Sequence, residues 1–454
     1  MTTLQSTASV TTAIPNAPRK KRYAVCGVSG RGMGMFIAPM VGIRALPEYG
    51  DFSEHGEIAA LLDIDAKRMA KANENLKRNF PTYPPDDFSR MVRETQPDVV
   101  VVCGPDHTHA QHTITALEHD LNVICEKPMV TDCRQAQAVI DAENRSKGKV
   151  RVTFNYRYTQ QCMAVKRLLM SGAIGRVVNV EFIYNLDTRH GASYFRRWNR
   201  DRTRSGGLSI HKCCHHFDLI NWFLDDDPEQ VFAFGALNSY GADSPHNPSK
   251  RDGNNYTVKE QQERCPYHLR WNAGAMRPLK DDHLTIHEEH FTLPYDEYSK
   301  QKPLYIYDPE IKIEDTYSAV VRYKRGASMT YSCNFSTPWE GFILGINGTH
   351  GRIETRDFTA PDRCPFPVDE RQTITVLPLF GERQVHEVRH VAGGHGGADP
   401  MLKYDLFVAP TRESSELKMV AGTHAGAMAV AIGEGVWRSS VEKRLINVAE
   451  LFER

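Results

Sequence analysis

From residue 23 onward, short apolar runs alternate with longer stretches in which apolar residues return every three or four positions. Runs at 23–27, 57–62, 98–103, 122–126 and 150–155 read as strands, and the stretches 33–46, 65–80, 87–95, 107–119 and 132–147 read as helices. The Val-rich run 98–103 shows no alternation, as expected of a parallel strand covered on both faces. Strand and helix taking turns in this way predicts a doubly wound α/β domain with right-handed crossovers over residues 23–150.

After residue 155 the rhythm changes. Helices are expected at 163–171, 215–223, 402–406 and 424–440. Strands are expected at 175–185, from Phe232, and at 317–323, 328–335, 342–345, 352–355 and 372–377. This pattern predicts an α+β domain over 151–454 with a large, mostly antiparallel open sheet. Residues 238–309 are polar and rich in Pro, Asn and His, and read as a long insertion on the surface or over a site.

Composition removes several function classes. Lys and Arg number 56 and Asp and Glu 56, so the net charge is zero and the basic footprint of a nucleic-acid binder is missing. A 41% hydrophobic fraction with 25% charged residues suits a globular chain, and no apolar run is long enough to cross a bilayer. Ten cysteines at these spacings form neither a disulfide scaffold nor a paired zinc motif, so reduced thiols and a cytoplasmic setting are expected. Residues 1–22 lack the apolar stretch of a secretory signal and read as a mobile arm, or as an arm touching a partner subunit.

The first strand runs into Gly27-Val28-Ser29-Gly30-Arg31-Gly32, which opens a helix. In that context Gly27 permits a tight turn, Gly32 permits close helix packing, and amides around Ser29, Gly30 and Arg31 can meet a pyrophosphate. Ser29 stands where the middle glycine usually lies. Asp63 ends the second strand, 36 residues beyond Gly27, where a carboxylate can accept both ribose hydroxyls and repel a 2′-phosphate. NAD is therefore expected over NADP, a preference that Lys67 and Arg68 temper. Capping of the next helix is the other role open to Asp63.

Two further strand ends carry chemistry. Gly104-Pro105-Asp106-His107-Thr108-His109 follows the Val-rich strand, and Cys125-Glu126-Lys127-Pro128 follows the next. Together with the Gly-rich turn, these resemble the glucose–fructose oxidoreductase, inositol dehydrogenase and rhizopine catabolism family (Gfo/Idh/MocA). The likeness continues in Asn155-Tyr156-Arg157, Gly175-Arg176-Val177, the segment from Gly206-Gly207 to Asp218, and His395-Gly396-Gly397-Ala398-Asp399. It spans residue 21 to the end, apart from 238–309.

The resemblance implies a nucleotide-binding Rossmann domain followed by a catalytic domain, and a homodimer or homotetramer paired through the open sheet. It implies that Lys127 is the catalytic lysine, that Glu126 orients the nicotinamide ribose, and that Pro105, Asp106, His109 and Asn155 lie along the cofactor. A surface lysine after a strand is the plain alternative for Lys127. On the family pattern His215 takes the catalytic histidine position and His211 stands where an aspartate is usual. That substitution puts the proton-relay pairing in doubt, because a neutral imidazole does not stabilise a neighbouring imidazolium.

His211 and His215, four residues apart, share a face if one helix carries both, with His211 or Lys212 tuning His215 as general base. His211, His215 and His216 could instead hold a transition metal, but no acidic ligand accompanies them, and no metal is expected. His216 could equally pack in the core beside Trp222. The segment 194–200 mixes aromatic and guanidinium groups that suit a sugar ring or a subunit contact. Arg157, His190, Arg196, Trp198, His215 and His216 are the candidate substrate residues.

The expectation is an NAD-dependent dehydrogenase acting on a secondary hydroxyl of a sugar, glycoside or cyclitol, with no nucleic-acid or membrane partner. Redox-assisted glycoside cleavage with recycled NAD is the alternative, and a non-catalytic NAD sensor a third reading.

Overall fold

The computed structural model describes residues 19–42, 50–271, 304–369, 371–388 and 396–453. Its first part is a six-stranded sheet of β1 (Lys21–Cys26), β2 (Gly56–Leu62), β3 (Thr82–Tyr83), β4 (Val99–Val102), β5 (Asn122–Cys125) and β6 (Val150–Val152). Every pairing is parallel and the order is β3-β2-β1-β4-β5-β6. All four valines of β4 are buried, which explains the missing alternation. The order reverses between β1 and β4, and in open α/β sheets ligands bind outside the strand ends at such a reversal. The loops after β1, β2, β4 and β5 all open on that side.

The helix expected at 33–46 begins earlier, at Gly30, and ends at Val41. Its middle, Met33–Ile37, is a π-helical turn. Pro39 lies just beyond and has no N–H to give to the preceding turn, so the ladder shifts register ahead of it. Gly42 then terminates the helix at φ 65°. Residues 43–46 lie outside the described segments, as do 272–303 of the insertion and His395.

The second part holds β7 (Val177–Asp187), β8 (Pro228–Ala236), β9 (Thr316–Tyr323), β10 (Ser328–Thr337), β11 (Gly341–Gly348), β12 (Gly351–Phe358), β13 (Gln372–Pro378), β14 (Gln384–Val388) and β15 (Ile446–Asn447). They form one sheet in the order β14-β13-β12-β11-β7-β10-β9-β8-β15, antiparallel except where β7 meets β10. Alternation sorts its faces: Phe182, Tyr184, Tyr317 and Tyr331 are buried, while Ile183, Phe234 and Val320 are exposed. The buried face packs on helices that include Cys214–Leu224 and Thr423–Glu442. No helix among the described residues is long and apolar enough to cross a membrane.

The helix Thr423–Glu442 also binds the first domain. Glu434 accepts from Cys133 N at 2.7 Å, Thr423 donates to Glu143 at 2.7 Å, and Val152 N donates to Ala421 O at 2.9 Å. The insertion is more ordered than its sequence suggests, with short helices at Pro248–Asp252, Val258–Arg264 and Pro266–Trp271. Asp315 pins its base by accepting from the amides of Asn238, Ser239 and Tyr240. Phe195 stacks on Tyr240 at 4.2 Å and Arg200 pairs with Asp308 at 2.6 Å. Much of the 194–200 segment therefore anchors the insertion.

The first turn admits only glycine at position 27. Gly27 has φ +101°, and a Cβ there would lie 2.3 Å from Gly104 N. Gly27→Ala is expected to lower stability by about 3 kcal/mol and to weaken dinucleotide binding, read by urea unfolding and NAD titration. A wild-type unfolding midpoint would contradict this packing.

Candidate active site between the two domains

The glycine-rich turn is built around its serine. Ser29 caps the helix, its Oγ accepting from Gly32 N at 3.0 Å and donating to Cys103 O at 3.2 Å. A side chain in the middle-glycine position is thus folded into the protein. A Cβ on Gly32 would lie 2.5 Å from Gly27 O, so the helix sits directly on the strand end. The amides of Gly30 and Arg31 are left at the open helix terminus.

Asp63 is buried and bridges the turn to the next helix, accepting from Val28 N at 2.7 Å and Asp65 N at 2.9 Å. It is not the cap. Asp65 takes that role for the helix Ala66–Leu76, accepting from the amides of Lys67 and Arg68. A carboxylate has further lone pairs beyond two amide bonds, so Asp63 can still accept a ribose hydroxyl. The open helix end, the glycine contact and this carboxylate fit a dinucleotide.

A second network closes the cofactor side. Arg31 donates to Glu126 at 2.8 Å and to Asp399 at 3.1 Å, and Asn155 donates to Asp399 at 3.0 Å. Glu126 also accepts from Lys127 N at 3.2 Å. Arg31 and Glu126 therefore belong to a charged clamp that draws the start of helix Ala398–Phe407 against the nucleotide domain. His109 is buried with its two ring nitrogens facing Pro128 O at 2.8 Å and Gly104 O at 2.9 Å. It ties together the loops that carry Asp106 and Lys127. Pro105 precedes the turn Asp106–Thr108 and accepts from Thr108 Oγ1 at 2.7 Å.

The histidine segment differs from the expectation of one continuous helix. A helix at Leu208–His211 breaks at Lys212 and Cys213, and a second runs over Cys214–Leu224. His211 and His215 consequently meet different partners. His211 Nδ1 lies 2.5 Å from Asp106 Oδ2, its Nε2 lies 3.1 Å from Asn199, and its carbonyl accepts from Lys127 Nζ at 3.3 Å. Tyr194 and Trp198 meet the His211 ring edge-on at 5.4 and 5.5 Å.

Burial pushes the Asp106 carboxyl up to about 7, although His109 and Lys127 oppose the shift. Burial, with Lys127, Arg197 and Lys212 nearby, pushes the His211 imidazole well down. An acid raised and a base lowered, 2.5 Å apart across the domain boundary, titrate as a pair. A carboxyl from the nucleotide domain thus lies against position 211.

His215 stacks on Tyr156, ring centroids 4.5 Å apart and 14° from parallel. Lys212 is buried and donates to Tyr156 Oη at 2.9 Å, and Tyr156 and Tyr184 hydroxyls lie 2.9 Å apart. Lys212 Nζ also sits over both rings, at 5.3 and 5.0 Å. Beyond it, His190 Nδ1 lies 2.7 Å from Glu340, and its Nε2 lies 2.9 Å from Tyr194 Oη. Burial alone would raise the Glu340 carboxyl, but His190, Lys212 and Arg363 bring it down to about 2.

The structure brings Lys127 to His211 and brings Lys212 and His215 to Tyr156, with Trp198 on His211 and His190 linked to it through Tyr194. Three candidates are engaged elsewhere. Arg157 is buried in a fork on Asp218 at 2.8 and 2.5 Å and reaches Lys418 O, so it is a structural clamp. His216 is fully buried, facing Tyr331 Oη at 2.8 Å and stacked on Tyr184 at 4.1 Å. Arg196 lies beside Tyr305 at the base of the insertion. The three imidazoles do not converge on one point. Among the described residues, ligand-type atoms come within 4.8 Å of one another in the Cys213, His216 and Cys333 group, where burial pushes the Cys213 thiol far up.

Sequence reasoning missed Tyr156, Tyr194 and Glu340 and gave Asp106 a different partner. Tyr156 lay inside a quoted motif between two assigned residues. Glu340 had no local signal, because the contact with His190 joins positions 150 residues apart.

Comparison with known proteins identifies the family of both domains. Residues 21–154 match the family model described as oxidoreductase family, NAD-binding Rossmann fold, and residues 166–448 match its C-terminal alpha/beta domain. YteT of Bacillus subtilis (strain 168) is 44% identical over 440 residues, covering 95% of this chain and 99% of that protein. An inositol 2-dehydrogenase of Rubrobacter xylanophilus is 28% identical over 221 residues, 47% of this chain and 56% of that one. A levoglucosan dehydrogenase solved with NADH and levoglucosan shares the fold at TM-score 0.62 and 15% identity, covering 95% of this chain and 100% of that one. With both domains matched in order, the chain belongs to the Gfo/Idh/MocA oxidoreductase family.

Proposed function

We propose that this chain is an NAD-dependent oxidoreductase that oxidises a secondary hydroxyl of a sugar, glycoside or cyclitol. The observation that carries the reading is the meeting of Lys127 with the Asp106–His211 pair at the carboxyl ends of β4 and β5. The relatives described as acting on inositol and levoglucosan support the substrate class. Aromatic edges from Tyr194 and Trp198 beside polar donors suit a ring bearing hydroxyls.

Bound NAD would accept a hydride from the carbinol carbon. The chain's own residues do the remaining work. The amides of Gly30 and Arg31 hold the pyrophosphate, and Asp63 accepts the ribose hydroxyls. Lys127 donates to the reacting oxygen and keeps it in place. His215 takes the hydroxyl proton, and the Asp106–His211 pair buffers charge beside Lys127. Lys127→Ala and His215→Ala should each slow formation of reduced nicotinamide by about 10²–10⁴-fold while NAD affinity stays within about threefold, read by stopped-flow absorbance and calorimetry. Wild-type rates in both variants would remove the assignment.

The pair also sets a pH dependence. The Asp106 carboxyl, pushed up to about 7, loses its proton as pH rises through that range, and the charge it then carries helps to hold the Lys127 ammonium in place, so oxidation should accelerate there. Asp106→Asn should flatten this limb of the pH–rate profile. An unchanged limb in the variant would assign it to another group.

Asp63 supports NAD over NADP, since a buried carboxylate beside the turn repels a 2′-phosphate. Asp63→Ser should narrow the ratio of NADP to NAD dissociation constants by about tenfold or more, equivalent to about 1.4 kcal/mol. A ratio unchanged by the substitution would show that other groups set the preference.

A further inference from the structure

Among the described residues, one group of buried side chains gathers soft ligand atoms where the helix Cys214–Leu224 meets the buried face of the sheet. Cys213 lies at the break ahead of that helix, and His216 follows one helical turn on, its N–H donating to Cys213 O at 2.9 Å. Cys333 lies on β10 two residues from Tyr331, so alternation puts both on the buried face. One ligand atom from each of Cys213, His216 and Cys333 lies within 4.8 Å of the other two. Tyr331 Oη lies 2.8 Å from His216 Nδ1 and is in hydrogen-bond contact with both thiols. None of the four residues is more than 1% exposed. Hydrogen bonds do not use up the His216 ring: Nδ1 faces Tyr331, and Nε2 has no hydrogen-bond partner. Burial keeps the imidazole neutral, so donation from Nδ1 leaves a nitrogen lone pair unused in the core.

We propose that Cys213, His216, Cys333 and Tyr331 form a structural zinc site, with two sulfurs, one nitrogen and one oxygen as its four ligands. Two thiolates and an imidazole suit a borderline-soft divalent cation and not magnesium or calcium, which take oxygen. Ligand atoms on a tetrahedral zinc ion stand roughly 3.3–3.8 Å apart, a spacing this cluster reaches with small side-chain shifts. On binding, each thiol gives its proton to solvent and forms a Zn–S bond, while His216 and Tyr331 bind through lone pairs as neutral groups. No electron is transferred. The two thiolates cancel the charge of the ion, so the unit is neutral. That matters because Lys212, next to Cys213 in the chain, already buries an ammonium. The two arms are Cys-x-x-His at the start of a helix and Tyr-x-Cys on a strand, brought together by the fold and far apart in the chain. Neither His211 nor His215 belongs to the set. The ion ties the break at Lys212 and Cys213 to β10, and so holds the turn that separates His211 from His215.

The test expresses the full chain in zinc-supplemented medium, strips loosely held metal with a weak chelator and measures the zinc that stays. Wild type should keep about one ion per chain. Cys213→Ala and Cys333→Ala should each keep at least about tenfold less. Cys364→Ala, which alters a half-buried cysteine outside the group, should keep as much as wild type. Circular dichroism shows whether each variant folds. Zinc-edge X-ray absorption on wild type needs no variant and should show two sulfurs at about 2.3 Å and two lighter atoms at about 2.0–2.2 Å. Where a variant does not fold, that absorption result decides. A wild-type chain without zinc, an ion lacking the two sulfurs, zinc kept by both folded alanine variants, or a Cys213–Cys333 disulfide in place of the ion overturns the site.

Discussion

Asp106 and His211 meet at 2.5 Å across the boundary between a nucleotide-binding sheet and a catalytic domain, and the candidate site depends on that contact. It fixes the histidine segment against the loop after β4, and the same approach brings the His211 carbonyl to Lys127 Nζ. A carboxyl pushed up to about 7 beside an imidazole pushed down is costly to bury unless one proton satisfies both. The clamp of Arg31, Glu126, Asp399 and Asn155 and the helix Thr423–Glu442 hold the domains in the register that makes this contact possible.

Two titratable rings meet in the second domain. One is the imidazole of His215, buried and stacked on an aromatic ring. The other is a phenol whose oxygen is held by a buried ammonium and a buried hydroxyl. Their proximity follows from the break at Lys212 and Cys213, which turns His211 toward the nucleotide domain and leaves His215 over Tyr156. A continuous helix would have put both imidazoles on one face.

The nucleotide domain was legible in the sequence because its signals are local. Unbroken valine in β4, glycine at the turn and a carboxylate at the end of β2 each report a constraint set within a few residues. The antiparallel sheet was legible through alternation, as in Phe182 and Tyr184 against Ile183. At the candidate site the motifs pointed to Lys127 and His215, and the contacts that surround them had no local signal. Arg157 looked like a substrate residue, yet Asp218 occupies its guanidinium. The pairing of His211 with Asp106 joins residues 105 apart, and no spacing rule carries such information. Pro39 was visible in the chain, but its effect on the helix register needed the backbone itself.

The most direct test is a crystal structure of the full chain with NAD. The account predicts the pyrophosphate on the amides of Gly30 and Arg31, the adenosine ribose on Asp63, and the nicotinamide ring within about 4 Å of the Lys127 side chain, on the side where His215 and Tyr156 lie. A nicotinamide bound away from Lys127, with His215 and Tyr156 facing no part of the cofactor cleft, would contradict it.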